Sequence, residues 1–169
     1  MFTAGDIIVY GGEGVCRVES IGPSRIHGAD PGKLYYCLTP LWRSGQVLTP
    51  VDTGILMRPV WRREEAQALV EDIAALPAMN LHPDLRSSKE LYHATVMSYD
   101  GRETARLIRA LHRKRVWMTA HNKRINQMDE RYLKRAEEQL YGELAVALAL
   151  PREEIPDYIR RYDPNWPEK

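Results

Sequence analysis

Apolar residues follow two different rhythms along the chain. Over roughly the first sixty positions they form short β-branched and aromatic runs. These are Ile7-Ile8-Val9-Tyr10, the mixed stretch Val15 to Ser20, Leu34-Tyr35-Tyr36-Cys37-Leu38, Gln46-Val47-Leu48-Thr49 and Ile55-Leu56-Met57. Gly11-Gly12-Glu13-Gly14 and Arg43-Ser44-Gly45 separate them with residues suited to tight turns. Short runs with glycine-rich punctuation predict five strands in a small barrel or curled sheet.

From Glu64 onward the period becomes helical. Ala66, Leu69, Val70, Ile73 and Leu76 follow i, i+3, i+4, i+7, i+10 spacing and predict an amphipathic helix ended by Pro77. Ser87 and Glu90 form a capping-box pattern opening a helix to about Met97, and Asp100 with Glu103 opens the next. Asn126 and Asp129 start a long helix bearing Leu133, Ala136, Leu140, Leu144 and Leu148, punctuated by Pro151. A last helix runs from about Arg152 to Arg161. Val116 to Arg124 is expected to be the loop between two helices, with Trp117 turned back onto the bundle. The change of rhythm falls near Pro59 to Arg63. It predicts an α+β chain with a β module over 1–60 and an all-helical module over 61–169.

Charge adds one feature to this pattern. The chain of 169 residues has a net charge of only +1, yet eleven Lys or Arg lie between Arg102 and Arg135, opposed by Glu103, Asp129 and Glu130 alone. On the helix after Asp100, Arg102, Arg106, Arg109 and Arg113 fall within an arc of roughly 60°. Leu107, Ile108 and Leu111 occupy the opposite side. The expectation is an arginine ridge facing solvent. Its missing counter-charge is supplied equally well by a phosphate backbone or by acids of the same chain, such as Glu137 or Glu138.

Other chemistry is sparse. The five histidines are scattered, and none stands at metal-ligand spacing. There is no nucleotide-binding glycine loop before a helix and no nucleophile elbow. The sequence therefore nominates no catalytic residue, metal or cofactor. No apolar run reaches the roughly 18 residues of a membrane helix, and the first residues do not resemble a signal peptide. Cys16 and Cys37 are expected as buried thiols in a reducing cytoplasm.

The order and spacing of several segments resemble one family. Phe2-x-x-Gly5-Asp6-x-x-Val9-Tyr10-x-x-x-Gly14-Val15 is similar to the opening of the CarD-like transcription regulators, and to the polymerase-interacting module of the transcription-repair coupling factor. Pro50-Val51-Asp52 and Met57-Arg58-Pro59-Val60 resemble the end of that family's barrel. Ser98 to Lys114, Leu133-Lys134-Arg135-Ala136 and Tyr141-Gly142-Glu143-Leu144-Ala145 resemble its helical half. The resemblance spans about Phe2 to Leu150 and is nearest to a clostridial-type variant.

It implies an N-terminal small Tudor/SH3-like barrel that binds the RNA polymerase β subunit. It also implies a helical domain that touches promoter DNA and alters open-complex stability, with no catalysis. On this chain the polymerase contacts would be Arg25, Leu48, Thr49 and Pro50. The DNA contacts, mostly to phosphate, would be Arg102, Arg106, Arg109, Arg113, Lys123, Arg124, Arg131 and Arg135. A monomer is expected. Two positions depart from the family. Its wedge tryptophan is matched by about Ser88, and its two barrel arginines map near Ser24 and Leu48, Arg25 standing one residue from the first. The competing expectation is an adaptor whose helical half binds RNA or only packs.

Overall fold

The computed structural model describes residues 1–167. It divides into a β unit, Met1–Val60, and a helical unit that begins at Trp61.

The β unit holds five antiparallel strands: β1 (Ile7–Tyr10), β2 (Gly14–Pro23), β3 (Leu34–Pro40), β4 (Val47–Pro50) and β5 (Met57–Pro59), in the order β4-β3-β2-β1-β5. Gly12 takes a φ of +90° in the β1–β2 turn, a conformation that costs a residue with a Cβ strain. Period-2 alternation puts Cys16 and Val18 inside and Arg17 and Glu19 outside. Ile8, Tyr10, Tyr36 and Leu38 complete the core.

A register shift between Val18 and Ser20 bends β2. The resulting curl is deep enough for the Tyr10 hydroxyl on β1 to donate to Thr49 Oγ1 on β4 at 3.1 Å, across two intervening strands. The sheet nevertheless stays open, with β4 and β5 as its edges. Both edge strands end in proline, which cannot donate to a further strand. Cys37 lies half-buried on the face opposite the core rather than inside it, because β3 buries Tyr36 and Leu38 on the other parity. Both thiols are free.

The helical unit contains α1 (Arg63–Asp72), α2 (Leu85–Ser98), α3 (Gly101–Ala120), α4 (Gln127–Leu148) and α5 (Ile155–Arg160), with 3₁₀ turns at Ile73–Ala75 and Arg152–Glu154. The starts are written in the sequence. Asp84 accepts from the Ser87 N–H, Asp100 from those of Arg102 and Glu103, and Asn126 from that of Asp129. For α2, then, the cap is Asp84, and Ser87 is the residue it binds.

The apolar stripes of α1, α3 and α4 meet in one core built on Leu69, Val70, Leu107, Ile108, Leu111, Leu140 and Leu144. Gly101 allows the closest approach. A Cβ there would stand 2.6 Å from the Trp61 ring and 2.7 Å from Leu69 Cδ2. The last turn is fastened by Trp166, whose indole N–H donates to the Tyr141 hydroxyl at 3.0 Å.

Among the described residues, no helix is long and apolar enough to cross a membrane.

Candidate nucleic-acid interface

Three of the four ridge arginines on α3 are engaged within the chain. Arg102 pairs with Asp72 at 2.8 Å. Arg106 pairs with Glu103 at 2.9 Å and donates to the Pro77 carbonyl. Arg109 is 7% exposed and does not face solvent. Its guanidinium meets Asp163 at 2.6 Å, donates to the Ile73 carbonyl at 3.0 Å and lies over the Trp166 ring. The expected solvent-facing ridge is corrected at Arg109: Arg102 and Arg113 are exposed and Arg106 is half-buried. The segment after α5 folds over the middle of α3 and brings Asp163 with it, which a helical wheel of α3 alone cannot show. The acids that neutralise the ridge are Asp72, Glu103 and Asp163, not Glu137 or Glu138.

Of the remaining nominated cations, Lys123 and Arg124 stand in the α3–α4 turn, Arg113 lies two helical turns before it on α3, and Arg131 and Arg135 follow it on α4. Arg113, Lys123 and Arg124 are exposed, with no acidic partner among the described residues. Arg131 is exposed beside the Tyr132 ring, and Arg135 is half-buried with a guanidinium nitrogen 3.4 Å from Met97 Sδ.

Lys114 is different. It forms an ion pair with Asp129 at 2.6 Å, and the other oxygen of Asp129, which is fully buried, accepts from the Tyr92 hydroxyl at 2.9 Å. Burial first, and then this bond to a carboxylate, push the Tyr92 phenol well above its usual range. The network locks α2 and α3 to the start of α4, so the turn that carries Lys123 and Arg124 is held from both sides.

The Val116–Arg124 loop is corrected too. Nothing between Gly101 and Ala120 breaks a helix, and α3 runs through to Ala120. Asn122, with φ of +56°, then turns the chain. Trp117 does not pack on the bundle. It is 54% exposed and stacks on His121, with ring centroids 4.0 Å apart.

A groove of about 730 Å³ runs along the same face of α3, from Arg109 and His112 to Ala120, bordered by Asn165 and Pro167. In its wall His112 Nε2 lies 2.6 Å from Glu137, and Arg115 lies 3.0 Å from Nδ1. A guanidinium only donates, so Nδ1 accepts and the ring proton is on Nε2, donated to Glu137. Arg115 and His112 stand at i, i+3 on α3, whereas the Glu137 pairing was not legible from spacing.

On the β unit, Arg25 is exposed in the loop between β2 and β3, Leu48 is exposed, Thr49 is buried and Pro50 half-buried. Val51 N–H bonds the Leu34 carbonyl. By strand alternation Thr49 therefore faces β3, and Leu48 turns its N–H and C=O outward. The Pro50 carbonyl is taken by Thr53 N–H, so Leu48 supplies the peptide group of this edge.

The position expected to correspond to a wedge residue is closed. Ser88 is 4% exposed and donates to the His82 carbonyl at 2.9 Å. Of its apolar neighbours, Tyr92 is buried, Leu91 half-buried and Leu85 exposed.

Among the described residues, no group of three His, Cys, Asp or Glu is placed to hold a metal. Comparison of the sequence with models of known protein families and with curated proteins finds no match.

Proposed function

We propose that this protein is a transcription regulator that binds RNA polymerase through the β unit and promoter DNA through the helical unit. The observation that carries the DNA half is the set of cations on and flanking the α3–α4 turn, Arg113, Lys123, Arg124 and Arg131, left without acidic partners among the described residues while the other ridge arginines each pair with an acid of the chain. Unneutralised cations on a rigid helix pair are suited to phosphate, with little base discrimination. Arg102, Arg106 and Arg109 drop out of the duplex contact set, because binding phosphate would cost each its present partner.

The polymerase half is supported by the resemblance of residues 2–60 and by the open β4 edge. The curled five-stranded sheet is read as the open counterpart of a Tudor/SH3-like barrel. An outward peptide at Leu48 suits β-augmentation by a strand of the polymerase β subunit, in a register limited by Pro50.

A second reading is favoured by one observation. With Ser88 buried, the helical unit lacks the wedge of the family it resembles, so it gains little preference for opened DNA. A protein that binds closed and open promoters equally shifts nothing between them. On that reading it is a polymerase-bound adaptor that does not act through promoter DNA.

The deciding experiment is open-complex lifetime after competitor challenge with the cognate polymerase, together with footprinting of the upstream promoter edge. A longer lifetime with protection supports the regulator. Polymerase binding with neither effect supports the adaptor, and absence of polymerase binding overturns both.

A further inference from the structure

The groove along α3 shares only Arg113 with the duplex reading, and its chemistry is of another kind. Its floor is apolar: Val116 is 68% exposed, and Ala120 and Pro167 continue it. Helical geometry puts Arg113 and Trp117 on one side of that floor, roughly 60° and 100° from the Val116 line, and His112 and Arg115 on the other, roughly 40° and 100° from it. Trp117 lines the groove, stacked on His121, which does not, and more than half of the indole is open to solvent.

Cations flank this floor without their own acids. Arg113 has no acidic partner among the described residues, and Arg115 bonds the neutral Nδ1 of His112. Arg109, at the groove's inner end, is more than nine-tenths buried, and its Nε–H has no acceptor. The nearby acids are occupied, Glu137 by His112 and Asp163 by Arg109. A volume of about 730 Å³ lies within the range of small-ligand sites.

We propose that this groove binds a small planar aromatic phosphate, of the kind a mononucleotide presents. The ring lies over Val116 and Ala120 against Trp117. The phosphate lies across the floor toward Arg115, away from the α3 C-terminus, whose carbonyls repel an anion. Arg115 then exchanges its neutral nitrogen partner for an anionic one. Arg113 borders both this groove and the duplex surface, but Trp117 and Arg115 are not among the duplex contacts, so variants at these two positions separate the proposal from the duplex reading.

The test is titration of the full, isotope-labelled chain with AMP, adenosine and inorganic phosphate, following the Trp117 indole and Arg115 guanidinium signals. AMP is expected to give saturable shifts of both. Adenosine and phosphate should each bind at least about tenfold more weakly, and Trp117→Ala and Arg115→Gln should each weaken AMP by about the same factor. Both positions are exposed or half-buried, and the variants should retain wild-type unfolding and wild-type duplex affinity. No saturable shift with AMP overturns the proposal, and so does AMP affinity unchanged by Trp117→Ala. Phosphate binding as tight as AMP reduces the groove to an anion site and also overturns it. Tighter binding of a short unpaired oligonucleotide through the same residues overturns the free-nucleotide assignment in favour of a strand.

Discussion

Arg109 on α3 and Asp163 beyond α5 face each other at 2.6 Å with almost no exposure to solvent. The pair ties the end of the described chain to the middle of the bundle and removes the most central arginine from the surface. Deleting one member leaves the other charge buried and alone. Asp163→Ala should therefore destabilise the helical unit by about 3–5 kcal/mol in urea unfolding. The double change Asp163→Ala with Arg109→Met should recover much of that loss. Equal stability of the single and double variants would show that the pair itself is not the cause.

Alkali should unfold the helical unit through its buried phenols. Burial, then the contact with Asp129, raises Tyr92; burial, then the charge of Glu137, raises Tyr141. The unfolded chain loses these protons near the usual phenol value of about 10, while the fold keeps them. Above that pH the unfolded state binds fewer protons than the native state, so stability falls as pH rises. It should be level from neutral pH to about pH 9 and decline from about pH 10 upward. Tyr92→Phe should make that decline shallower. It should also cost about 1–3 kcal/mol at neutral pH, by leaving a buried oxygen of Asp129 without its donor. Denaturant midpoints measured across the pH range check both effects.

The two thiols should separate cleanly by labelling. Burial, reinforced by Glu13, pushes the Cys16 thiol up to about 12, so it stays protonated in the fold. At pH 8 an alkylating reagent should modify Cys37 while Cys16 reacts only on unfolding. Mass spectrometry of the labelled peptides gives the result directly, and early labelling of Cys16 would mean that the sheet opens readily.

Gly101→Ala should cost about 1–3 kcal/mol, because its Cβ would meet the Trp61 ring and Leu69. Helix propensity alone argues the reverse, since alanine is favoured over glycine by about 1 kcal/mol within a helix. Thermal unfolding of this single variant therefore decides which effect is larger.

The duplex reading makes a charge-specific prediction. Replacing Lys123 and Arg124 by glutamate should weaken binding to unrelated duplexes alike and flatten the dependence of affinity on salt. Arg102→Gln should change duplex affinity little, because its guanidinium is already held by Asp72. On the β unit, Leu48→Pro removes the outward N–H and should abolish polymerase capture by the full chain while leaving the sheet's own bonds in place.

Local chemistry is legible along a chain because its causes are local. The caps at Asp100 and Asn126, the stops at Pro77 and Pro151, the strand runs and the change of rhythm near residue 60 depend on residues within a few positions of one another, and the sequence determined them by itself. It also showed that Arg102 to Arg113 share one helical face. The fate of that face was decided only in three dimensions, by residues far along the chain: Asp72 for Arg102 and Asp163 for Arg109. Packing also closes over Ser88, whose burial depends on helices far along the chain. Trp117, an apolar residue expected inside, stays out because α3 continues past it and carries it beyond the bundle. Whether an arginine is a free cation or half of a buried pair depends on which acid the tertiary fold brings within about 3 Å, and no period along the sequence encodes that distance.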